Sequence, residues 1–181
     1  ELIRTQTVKR LSDKVDVMMT GSHWWTLPDN WGALFTKLTA ATRQYNRYLC
    51  ENAPVELSRL LRVPVVHANH CGHFETVSTC LPGTIRGLRF RSEFVGCAQI
   101  VDGDGKVLAS RAAAEGEGLV LANIELGKRG APQPLGDCFW IPSLPWLLKL
   151  SWVQDRAWSR SYYRREGRQL GLASAAQRLN R

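Results

Sequence analysis

The residues most able to do chemistry lie in one short run, His67-Ala-Asn-His-Cys-Gly-His73. Imidazole can move protons or bind metal, and a thiol beside it can be a nucleophile. Cys71 sits between His70 and His73, which superficially matches a Cys/His nucleophile pair. Sequence neighbours need not face one another, and no acid accompanies them, so inert thiols are the better reading. A zinc reading also fails on spacing. Structural zinc sites pair ligands in two places, and no second pair accompanies this run, so no metal is expected.

Four further cysteines, Cys50, Cys80, Cys97 and Cys138, bring the total to five. Cys97 falls in a hairpin, and Cys50 and Cys80 fall in helix and loop without a nearby base. An odd count, irregular spacing and no secretory signal point to reduced thiols and a cytoplasmic location.

The elements that must position these groups are readable from periodicity. Glu1 to Leu11 reads as helix interior, with Leu2, Ile3, Val8 and Leu11 near helical spacing and no cap before them. With Glu1 rather than Met first, a truncated sequence is expected. Val15–Thr20 is a strand leading into the loop Gly21-Ser-His-Trp-Trp-Thr-Leu-Pro28. Trp31, Leu34, Phe35, Leu38 and Ala41 mark a helix running to about Asn52, with a break expected at Pro54. A short helix over Val55–Leu61 precedes the buried strand Val63–Asn69. His70–Arg89 reads as loop. Phe94–Val101 and Lys106–Ser110 flank the turn Asp102-Gly-Asp-Gly105, and Gly118–Glu125 reads as a third strand. A proline-rich connector, Pro132–Pro145, leads to a polar helix through about Arg168. This is a mixed α/β pattern.

The 181 residues are 44% hydrophobic and 22% charged, enough for one domain with a sizeable core. Of the net +8, the residues from Lys128 onward carry +7, ten cations against Asp137, Asp155 and Glu166. A basic tail can attract nucleic acid, acidic lipid or an acidic partner, but a solvated helix face is the plainer reading. The apolar run Phe139–Val153 is interrupted by Pro142, Pro145 and Lys149, so no membrane span is expected. Followed by an arginine-rich helix, that run could lie on a membrane surface or pack on a second subunit. Its aromatic content favours subunit packing and a homo-oligomer.

Four segments carry a resemblance. The strand and loop Val15–Pro28, the run Val63-Pro-Val-Val-His-Ala-Asn-His-Cys-Gly72, the hairpin Phe94–Ala109 and the strand Glu115–Glu125 occur in the order seen in the nitrilase superfamily of carbon–nitrogen hydrolases. Each is weak alone; together, covering residues 1 to about 126, they resemble the C-terminal part of such a domain. Residues 127–181 would then be an extension.

The resemblance implies a partial nitrilase-like αββα sandwich with a C-terminal helical extension. It also implies a chemistry: a cysteine thiolate attacks a nitrile, amide or N-carbamoyl carbon, a glutamate is general base, and a lysine stabilises developing charge. The family often reads Cys-Trp-Glu at the nucleophile, which would make Glu1 the third of those residues, a site-supporting position. The catalytic set would then lie upstream, leaving no catalytic residue in this chain and the chain inactive. No cofactor is implied.

Under that resemblance Ser22, His23, Trp24 and Trp25 form a wall of the substrate pocket, or else the tryptophans simply cap the sandwich edge. Asn69 supports the site, and its plainer role is an amide holding loop backbone. The family's serine in the hairpin is Ala98 here, which removes one hydroxyl. The rival function is a non-catalytic interaction or nucleic-acid-binding module using the basic tail. No nucleic-acid motif is readable, so no nucleic acid is expected as partner.

Overall fold

A computed structural model describes residues 2–78, 88–127, 134–141, 144 and 146–179. It is mixed α/β with a C-terminal helix, and it divides into two compact units, Glu1–Val77 with Arg89–Pro142, and Ser78–Leu88 with Ser143–Arg181.

The first unit is built on a four-stranded sheet. Its strands are β1 (Met18–Ser22), β2 (Val65–Asn69), β5 (Ala98–Val101) and β6 (Val107–Arg111), in the order β1-β2-β5-β6. β1 and β2 run parallel, with Met18 opposite Val65 and Ser22 opposite Asn69, so both end at one edge. β2 pairs antiparallel with β5, and β5 with β6. A separate two-stranded sheet joins β3 (His73–Ser78) to β4 (Leu88–Glu93).

Three helices pack in this unit: α1 (Thr5–Leu11), α2 (Ala33–Leu38) and α3 (Ala40–Leu61). Val8 from α1, Leu57 and Leu61 from α3, and Val65 from β2 meet in one core cluster with Leu2 and Val63. Burying such side chains stabilises by roughly 1.5–3 kcal/mol each, which is what holds α3 on the sheet.

Several expectations are corrected. The helix does not stop at Asn52, because α3 runs through Pro54 to Leu61. Proline there forfeits one intrahelical bond, but Pro54 is fully buried on the face shared by Cys50, Leu57 and Leu61, and this packing offsets the loss. Gln99 Nε2 also donates to the helix carbonyl of Glu51 at 2.7 Å, so a backbone acceptor on this turn is satisfied from the sheet. The break falls instead at Thr39, between α2 and α3.

Within the segment His70–Arg89 expected as loop, residues 73–78 form β3 and β4 begins at residue 88, since short apolar alternation suffices once each strand has the other to pair with. Gly118–Glu125 is not a strand, and Leu119 and Leu121 stand 86% and 82% exposed. Alternation alone makes no strand without a ladder partner. The expected Phe94 to Val101 strand is also shortened, because Gly96 and Cys97 have φ of +75° and +63° and turn the chain before β5 begins. The hairpin turn is confirmed: Asp102 Oδ1 accepts the amides of Asp104 and Lys106, each at 2.9 Å, and Gly105 has φ +85°.

In the second unit α4 (Trp146–Tyr162), a π-helical turn (Tyr163–Gly167) and α5 (Arg168–Leu179) follow one another without a break. Helix thus extends eleven residues past the expected end at Arg168. The sequence from Leu170 to Leu179 lacks proline and is rich in Ala and Leu, both good helix formers. Of the connector expected over Pro132–Pro145, residues 132, 133, 142, 143 and 145 lie outside the described residues.

Among the described glycines, Gly96 is the one that another segment's backbone approaches most closely. A Cβ there would lie 2.5–2.8 Å from Ala113, including its backbone N and Cα, and the positive φ adds strain for any L side chain. Gly96→Ala is expected to destabilise the protein by about 2–4 kcal/mol, measured by urea unfolding with unchanged m value.

Candidate functional site

The carboxyl ends of parallel strands are where a sheet leaves room for a ligand, since the chain turns away there and exposes backbone groups. The ends of β1 and β2 do this. Gly21 and Ser22 at the end of β1 with His23 just after it, and Ala68 and Asn69 at the end of β2 with His70 and Cys71 just after it, line a cavity of about 570 Å³. Gly96, Cys97 and Ala98 at the start of β5 complete one side. Arg111 to Ala113 and Gly116 to Gly118 form the rim beyond β6.

Asn69 ties these segments together. Its Oδ1 accepts the backbone amides of Trp24 (3.2 Å) and His70 (2.9 Å). Its Nδ2 donates to the Gly96 carbonyl and to Cys50 Sγ, the latter at 3.1 Å. One side-chain amide therefore bonds the loops after β1 and β2, the turn before β5 and helix α3. An amide has two donors and one doubly accepting oxygen, so Asn69 is saturated and has nothing left for a ligand.

The aromatic residues of the loop after β1 separate. Ser22 and His23 line the cavity, whereas Trp24 and Trp25 do not. Trp24 Nε1 donates to Asn46 Oδ1 at 2.8 Å, and its ring packs on the core cluster. Trp25 is half exposed and lies edge-on to Phe74, with ring centroids 6.1 Å apart. A tryptophan follows its largest apolar contact, and a sequence shows only that two adjacent ones point apart. Glu1 and Cys80 lie outside the described residues.

The His23 and His70 rings meet edge to face at 4.1 Å, and His70 in turn lies 5.3 Å from Phe94. His73 is on β3, where its Nε2 lies 3.9 Å from Glu93 Oε2. The three histidines of the run therefore do not converge. Among the described residues no group of three or more His, Cys, Asp or Glu could hold a metal ion.

His67 was missed by sequence reading as anything but a member of that run. It is 2% exposed inside the sheet, with Nδ1 paired to Thr20 Oγ1 at 2.7 Å. Its Nε2 and the Ser22 Oγ are buried without a hydrogen-bond partner. Burial disfavours the imidazolium and lowers the pKa to about 4. The parallel register that sets Thr20 opposite His67 is the signal that could have found this pair.

Two of the thiols are disarmed by their surroundings. Burial, with Cys97 close by, pushes Cys50 up to about 12, and burial pushes Cys97 up to about 11. Both remain thiols at neutral pH, and only a thiolate is a competent nucleophile. Cys71 is half-buried on the cavity wall, and Cys138 is exposed.

Arg111 is the cavity's permanent cation among the described lining residues, and it is engaged by the rim. Its guanidinium donates to the carbonyls of Glu115, Gly116 and Glu117, the last two at 3.0 and 3.1 Å. It shapes the rim loop rather than waiting for an anion.

No family model matches the chain, and no curated protein does. A carbon–nitrogen hydrolase from Helicobacter pylori G27 is a similar solved structure, with 14% sequence identity and a TM-score of 0.44. The likeness covers 66% of this chain and 36% of that one, so the chain spans little more than a third of that protein's length.

Two outcomes follow from the buried groups. His67 binds a proton more readily unfolded, near 6.5, than folded, near 4, so stability is full above pH 6.5 and falls as the pH drops toward 4. The loss is on the order of 3 kcal/mol and should be largely absent in His67→Gln, as read from unfolding midpoints between pH 4 and 7. With iodoacetamide at pH 8, peptide mass spectrometry should show Cys138 and Cys71 labelled before Cys97 and Cys50. Early labelling of Cys50 would contradict its burial.

Proposed function

We propose that the chain forms part of a carbon–nitrogen hydrolase domain and supplies the acyl-side wall of its substrate cavity without carrying the nucleophile. The observation that supports this is convergence. All four sequence segments that resemble the nitrilase superfamily contribute to one cavity, through Gly21 to His23, Ala68 to Cys71, Gly96 to Ala98, and Gly116 to Gly118. Segments alike by chance in a folded chain have no reason to meet at one place.

In this reading the substrate is a non-peptide nitrile, amide or N-carbamoyl compound. A cysteine thiolate attacks its carbon, a glutamate moves the protons and a lysine stabilises the developing negative charge. In this reading those three groups come from other residues of the domain, and Cys50 and Cys97 are held as thiols. The cavity's part is to enclose and orient. Ala68, Ala98, Ala112 and Ala113 give it small apolar walls, and its volume suits a compact acyl group. With Arg111 spent on rim carbonyls and Glu117 at the mouth, a neutral acyl chain fits better than one bearing a second carboxylate. Residues 1–126 are the hydrolase portion and 127–181 an extension, in a cytoplasmic protein.

The purified chain should release no ammonia from a simple nitrile, a primary amide or an N-carbamoyl amino acid. Release that disappears in Cys71→Ala would place the nucleophile at Cys71 and overturn the non-catalytic assignment. A small neutral carboxamide at millimolar concentration should shift the ring proton resonances of His23 and His70. Absence of any shift would sink the assignment of the cavity as the acyl site.

A further inference from the structure

The helix of the second unit has two features that the cavity does not use. Trp146, Leu150 and Val153 recur at four- and three-residue spacing, so they share one side of α4, and they are 74%, 53% and 56% exposed. Further along, Arg156, Ser159, Arg160, Tyr163 and Arg164 line a groove of about 470 Å³. Its three arginines recur every four residues, which stacks them on one helix face about 6 Å apart. All three are exposed.

From Trp146 to Arg160 the helix rises about 21 Å. Apolar side chains thus occupy its first turns and guanidinium groups the turns that follow, with Lys149 among the former. Residues 146–179 hold seven cations against Asp155 and Glu166. Guanidinium forks bind phosphate oxygens in pairs, and Ser159 and Tyr163 add hydroxyls to the same groove. Tryptophan and tyrosine are suited to an apolar–aqueous boundary, having an apolar body and a polar edge. No helix among the described residues is long and apolar enough to cross a membrane.

We propose that residues 146–164 bind an anionic lipid surface, lying in its plane. The Trp146–Leu150–Val153 side enters the acyl boundary, and the Arg156–Arg160–Arg164 groove takes lipid phosphates. Phosphate is common to lipids and nucleic acids, and the exposed apolar side beside the groove is what selects lipid. A polynucleotide backbone has no use for a buried leucine and valine, whereas an interface does.

The test is flotation of the full chain with vesicles of phosphatidylcholine alone and of phosphatidylcholine with phosphatidylglycerol. The chain should float with the anionic vesicles and weaken as salt rises. Replacing Arg156, Arg160 and Arg164 together by Gln should weaken binding on the order of 100-fold. The double substitution L150E and V153E should abolish it while leaving the far-UV circular dichroism unchanged. Equal binding to neutral vesicles, or none to either, overturns the proposal. So does RNA binding that survives L150E and V153E, or a dimer that these two substitutions dissolve, since each assigns the face to another occupant.

Discussion

A single side-chain amide holds the candidate site in shape. Asn69 stands at the carboxyl end of β2, opposite Ser22 on β1, and spends both donors and its acceptor on four separate stretches of chain. Inside a protein such bonds are stronger than in water, and a missing one is costly, so a saturated amide fixes its neighbours firmly. The cavity walls from β1, β2 and β5 take their spacing from it. The same amide bonds the Cys50 sulfur, which lowers that thiol's pKa, but burial and the nearby Cys97 outweigh it and keep Cys50 a thiol.

Rigidity on one wall is matched by commitment on another. Arg111 gathers three carbonyls of the rim loop, and Glu115 accepts the amide of Ala112 at 2.7 Å, so the rim is braced from inside. His23 and His70 lie between these braced regions with their rings in contact. Together with the Ser22 Oγ, which lacks a hydrogen-bond partner, they are cavity groups that the loop architecture leaves less committed. A preformed pocket of this type loses little entropy on binding, because its side chains are already ordered.

Much of this was legible in the sequence, and the rest fails for identifiable reasons. The parallel strand Val65–Asn69 and the Asp102 turn are local signals, apolar branching and an Asp-Gly pair, and both appear in place. Pro54 misleads because its cost is local while its compensation is tertiary, coming from burial against Leu57 and Leu61. Leu119 and Leu121 mislead in the opposite sense, since alternation was present and the partner strand was not. Adjacent Trp24 and Trp25 look equivalent in a sequence, yet one packs on the core and the other on Phe74. That Ser22 and His23 share a wall with Gly116 depends on the whole sheet, which no local pattern contains.

The unpaired stretch after the rim has a cost in crowded solution. Leu119 and Leu121 are exposed on a segment outside any strand but rich in β-forming apolar residues, the composition that recruits a like segment from another molecule. Glu115, Glu117 and Glu125 flank it, and stacking copies in register would bring like carboxylates within a strand spacing of each other. These three charges act as gatekeepers against fibril growth. Resistance of this segment to self-pairing therefore depends on charged side chains that take no part in the core.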